Sequence, residues 1–143
     1  PALKERITAL VNNGLIREEQ LGRMLAIHVG HTFPDARKAY APQIKEWESI
    51  IDKIADLFMR MNTEQAEVAA TVHFAAREAK KHPEEKPTEK EVLDTVMKWK
   101  QKRRLPLDEK EVALTVRNLN MLRWIKASVS DELPITEEDI LHV

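Results

Sequence analysis

The sequence predicts a mainly α fold: N-terminal helices, then a C-terminal helical unit that carries a small β-hairpin. Three observations lead there. Apolar residues recur three and four apart along most of the 143-residue chain, which is the spacing of one face of a helix. Residues that cap helix N-termini stand immediately before several of these stripes. Strand-like alternation is confined to one stretch near the C-terminus, WIKASV.

Leu3, Ile7, Leu10 and Val11 share a face, so a first helix is expected over residues 3–13. Asn13-Gly14 then supplies a left-handed C-terminal cap, with Leu15 placed to cover it. A second helix is expected over residues 17–29, with Leu21, Met24, Leu25 and His28 inward. HVGHTFPDARKAYAP, broken by Gly30, Pro34 and Pro42, reads as a connector. The clearest pattern comes next: Ile44, Trp47, Ile50, Ile51, Ile54, Leu57, Phe58 and Met61 form one amphipathic stripe. Asn62 or Thr63 restarts the chain into an Ala-rich helix whose small side chains let a neighbour approach closely. HPEEKP is a hinge-like break. Capping boxes at Thr88 with Glu91 and at Asp108 with Glu111 open EVLDTVMKWK and EVALTVRNLNML. WIKASV, the turn SDELP and a second short strand form the expected hairpin, and Thr136 starts a short last helix. A boundary at 61/62 separates an N-terminal helical region, residues 1–61, from residues 62–143, within one compact domain.

Composition excludes several classes. With 43% apolar and 33% charged residues the chain is globular. Without cysteine it has neither a disulfide framework nor a thiolate metal site. No apolar run approaches the roughly 18 residues that cross a bilayer, and the N-terminus lacks a signal layout. A cytoplasmic protein with no membrane partner is therefore expected. Serine occurs only at positions 49, 128 and 130, none in a Gly-flanked elbow, and the three glycines are isolated. Nothing in these residues suggests an enzyme or a cofactor. His28 and His31 are too few ligands for a closed zinc site, so no metal is expected. His73, between Val72 and Phe74, reads as a core or boundary residue.

Charge is unevenly distributed. Residues 98–126 carry nine Lys and Arg against three acids, while residues 127–143 carry five acids and no Lys or Arg. The concentration peaks in WKQKRR, after which the sign flips at Asp108, Glu109 and Glu111.

The order of elements after residue 62, together with VRNLNMLRWIKASVSDELPI, resembles a winged helix-turn-helix domain over about residues 63–136. The resemblance implies either binding of double-stranded DNA by a transcription regulator or a protein-interaction role. In the first case the recognition helix is 108–122, with Val112, Val116, Leu119 and Leu122 as core. Lys110, Thr115, Arg117, Asn118 and Asn120 would then face a groove, where Arg and Asn can contact base edges bidentately. Lys100, Lys102, Arg103 and Arg104 would hold phosphates. Two features depart from the family pattern: Arg123 stands where a small residue is usual, and SDEL makes an acidic wing tip.

A second reading needs no ligand. Cations favour the C-terminal end of one helix and acids the N-terminal end of the next, so WKQKRR followed by DEKE is also what two consecutive helices choose. The chain is then a helical protein–protein interaction module. Trp47, Phe58, Met59 and Met61 are either core or a partner surface. Because the N-terminal helices present more apolar stripe than a small winged domain covers, a homodimer through them is expected.

Overall fold

The computed structural model describes residues 2–100 and 107–141; Lys102, Arg103 and Arg104 lie outside them. The described chain is mainly helical with a two-stranded antiparallel sheet. It divides into two compact units, residues 1–57 and 58–143.

In the first unit α1 (Ala2–Asn12) ends as its sequence requires. Gly14 takes φ +69°, its N–H reaches Val11 O at 2.9 Å, and the Leu15 N–H reaches Leu10 O at 3.0 Å. This is a Schellman closure. The helix expected over residues 17–29 is instead a hairpin, β1 (Ile16–Leu21) and β2 (Met24–Val29). Gly22, at φ +61°, sits in the first position of a two-residue turn. Leu21, Met24, Leu25 and His28 do have helical spacing, but Gly22 breaks that helix, and Leu25, Ile27 and Val29 alternate as a strand does. The expected connector holds the end of β2 and α2 (Phe33–Ala39), with Pro34 in its first turn. Thr32 ties α2 back to α1: its N–H donates to Gly14 O at 3.0 Å and its Oγ1 to Asn13 O at 2.8 Å. A Cβ on Gly30 would meet Gly14 O at 2.0 Å, so this crossing admits only glycine there. The long amphipathic helix is α3 (Ala41–Met59).

The second unit is built on α4 (Thr63–Glu78), α5 (Glu89–Lys100) and α6 (Glu109–Met121), each packed on the other two. Their contacts bury Val72 and Ala75 of α4, Val92, Leu93 and Val96 of α5, and Val112, Ala113 and Val116 of α6 completely. The alanines of α4 allow this close approach. Asn62 and Gln65 cap α4 reciprocally. Thr88 and Glu91 do the same for α5, at 2.8 and 3.1 Å. Asp108 caps α6 by accepting from Lys110 N at 2.9 Å. A short α7 (Glu137–Leu141) follows.

Two expectations for this unit fail. Leu122 is 62% exposed, and Ile125, 5% exposed, takes its place in the core. The chain reverses at Arg123, which adopts φ +63°, with its N–H on Asn120 O at 3.1 Å and the Trp124 N–H on Leu119 O at 2.9 Å. That is the same closure as at Gly14, made by an arginine. The expected hairpin over WIKASV and SDELP does not form among the described residues; only a single parallel bridge joins Thr88 to Ser128. Side chains take the backbone groups that a second strand would have paired. Asn120 Oδ1 accepts from Ala127 N at 3.1 Å, Glu89 Oε2 accepts from Ser130 N at 3.0 Å, and Arg117 Nη2 donates to Ser130 O at 2.9 Å.

Candidate interaction surface

Among the described residues expected to contact nucleic acid, several are engaged within the chain itself. Lys100 Nζ lies 3.2 Å from Glu67 Oε1, and Lys110 Nζ lies 2.7 Å from Asp139 Oδ1. Thr115 Oγ1 donates back to Glu111 O at 2.9 Å. Asn118 is half-buried on α6. Arg117, the residue expected to read a base edge, turns inward. Its Nε lies 3.0 Å from both oxygens of Glu89, and its Nη2 lies 3.0 Å from Glu89 Oε2.

Glu89 is fully buried. Besides Arg117, its carboxylate accepts from Asn120 Nδ2 at 3.0 Å and from Ser130 N at 3.0 Å. Its own N–H donates to Ser128 O at 2.9 Å. Both carboxylate oxygens are satisfied, which is the condition for keeping a charge inside a core. The network pins segment 127–130 onto α5 and α6. A signal for it lay in the spacing. Glu89 precedes Val92 and Val96 by three and seven residues, so a carboxylate stands on the core face of α5. Arg117 and Asn120 border the Ala113–Val116 face of α6 in the same way.

Asp139 is the other strongly placed carboxylate. The Lys110 ammonium, then the Thr136 N–H and hydroxyl, hold its pKa down to about 2. Glu91 is also held below the ordinary carboxylate range, chiefly by the Thr88 N–H. Both are structural clasps on helix starts. His73 is exposed rather than core. His28 Nε2 lies 2.8 Å from Glu19 Oε2, out of line for a hydrogen bond. No group of three potential metal ligands occurs among the described residues. No helix among them is long and apolar enough to cross a membrane.

The first unit is different in kind. No side chain of residues 2–57 is buried, and thirteen large apolar ones are exposed. On α3 the stripe Ile44, Trp47, Ile51, Ile54, Phe58 is spaced 3, 4, 3, 4, the a and d positions of a helix–helix seam. Trp47 is 59% and Ile54 41% exposed. Within its unit α3 packs extensively on no other element. The other elements of the unit therefore provide no core for this stripe. On the hairpin, Leu25, Ile27 and Val29 project from one face, each more than half exposed. The chain matches no protein-family model, no curated protein and no solved structure.

Proposed function

We propose that this chain is a protein-association module that self-associates through residues 1–57, with the three-helix unit as its self-sufficient body. One observation carries the reading: a unit of folded helices and strands that fully buries none of its large apolar side chains and leaves thirteen of them exposed. Exposed apolar faces on that scale, one on α3 and one on the hairpin, mark interfaces. The α3 seam suits another helix, and a β-hairpin standing alone is marginally stable, so burial against a partner is what would hold the unit together. Among the described basic residues, Lys100, Lys110 and Arg117 each pair with a carboxylate of the chain itself, which favours this reading over nucleic-acid binding.

Light scattering tests this directly. The expected mass is at least twice the 16.5 kDa of one chain. Ile51→Glu, which places a charge in the middle of the seam, should reduce the assembly or weaken it at least tenfold. A wild-type chain that stays at 16.5 kDa up to about 100 μM, far above the Kd of a stable interface, contradicts the reading.

A further inference from the structure

The two edges of the hairpin are chemically unlike, and the difference points to how copies of the chain meet. The Gly30 N–H donates to Leu15 O at 2.8 Å, which makes Leu15 and Gly30 a hydrogen-bonded pair. The alternation of an antiparallel ladder then makes Arg17 with His28, Glu19 with Ala26, and Leu21 with Met24 bonded pairs too. The remaining residues turn their N–H and C=O groups outward: Ile16, Glu18 and Gln20 on the β1 edge, Leu25, Ile27 and Val29 on the β2 edge. Natural proteins blunt exposed edges with charge. β1, IREEQL, is blunted in that way; β2, MLAIHV, carries no Lys, Arg, Asp or Glu.

We infer that the β2 edge is a strand-addition site, and that its occupant is β2 of a second copy, antiparallel across a two-fold axis at Ile27. This rests on the self-association reading above and specifies its geometry. The register is self-complementary: Leu25 faces the partner's Val29, Ile27 faces the partner's Ile27, and Val29 faces the partner's Leu25. All three outward residues of each strand find ladder partners. The result is a four-stranded sheet in the order β1-β2-β2-β1, with the six apolar side chains of the two central strands contiguous on one face. Pairing through β1 instead would set Glu18 against Glu18 at the equivalent axis, and like charges directly opposite destabilise a sheet. The same charges cap the outer edges of the four-stranded sheet, so addition closes at two copies instead of propagating.

Two variants test the geometry. Ile27 is 53% exposed, so Ile27→Lys leaves the isolated chain folded by circular dichroism while opposing two ammonium groups at the axis. Its mass should fall to that of one chain at concentrations where wild type is paired. The sequence contains no cysteine, so single-cysteine variants report unambiguously. Ile27→Cys, treated with a short bis-maleimide, should give covalent dimer in high yield, because facing Cα atoms in such a pair stand about 5.5 Å apart. Glu18→Cys, on the outer edge, should stay uncrosslinked. If wild type assembles but Ile27→Lys assembles equally well and Ile27→Cys does not crosslink, the β2 pairing is wrong and the self-association reading stands with another face. A wild-type chain that is monomeric throughout overturns both.

Discussion

The two units use the same local devices and reach opposite ends. Both contain capped, amphipathic helices, and each contains a helix closed by the same C-terminal motif, with Gly14 in one and Arg123 in the other at nearly equal positive φ. In residues 58–143 the apolar faces of three helices meet, and Val72, Leu93 and Val116 reach zero exposure. In residues 1–57 an equally regular stripe from Ile44 to Ile54 meets nothing comparable in its own unit. Amphipathicity shows that a face wants cover. It does not show whether the cover belongs to the same chain.

That comparison can be broken most severely at the buried charge. Arg117→Ala strands the Glu89 carboxylate in the core, and losing one partner of a buried pair costs about 3–5 kcal/mol. Thermal unfolding should show the C-terminal unit lost or severely weakened. A fall below 1 kcal/mol would mean that the core tolerates the charge and that the network does not hold segment 127–130.

A smaller change of opposite sign is expected at Arg123. An L-residue held in the left-handed region costs about 1–2 kcal/mol, part of which glycine returns through its freer unfolded chain. Arg123→Gly should therefore stabilise the unit by about 0.5–1 kcal/mol. Destabilisation would mean that the arginine side chain makes a compensating contact.

The smallest effect is confined to acid. Asp139 has its pKa lowered from 3.8 to about 2. A carboxylate depressed on folding contributes stability that is present above 3.8 and is lost as pH falls toward 2. From Asp139, stability should be flat between pH 5 and 8 and decline only below about 4. In Lys110→Met, which removes the largest cause, the Asp139 carboxyl should titrate closer to 3.8 by NMR.

Much of the fold was legible in the sequence. Asn13-Gly14, the Thr88/Glu91 box and the Asp108 cap act within a few residues, so their signals are local, and the structure forms each of them. Residues 17–29 carry two conflicting signals: Leu21, Met24, Leu25 and His28 fit a helix, while Gly22 and the 25, 27, 29 alternation fit a hairpin; the glycine carries the decisive conformational fact. The C-terminal hairpin is not legible from WIKASV, because β-branched alternation says nothing about side chains arriving from elsewhere. Asn120, Glu89 and Arg117 are remote in sequence from the backbone they saturate. Arg117 looked like a groove-facing residue for the same reason: its partner lies 28 positions away. The basic run at Lys102, Arg103 and Arg104 lies outside the described residues.

Amide hydrogen exchange at two protein concentrations tests the difference between the units most directly. If residues 1–57 are completed by a second copy, exchange across that unit, and at Leu25, Ile27 and Val29 in particular, should slow as concentration rises through the dissociation constant. Exchange in α4, α5 and α6 should stay constant, because their core is closed within one chain. Protection of both units that is equally independent of concentration, from submicromolar to about 100 μM, would contradict the account.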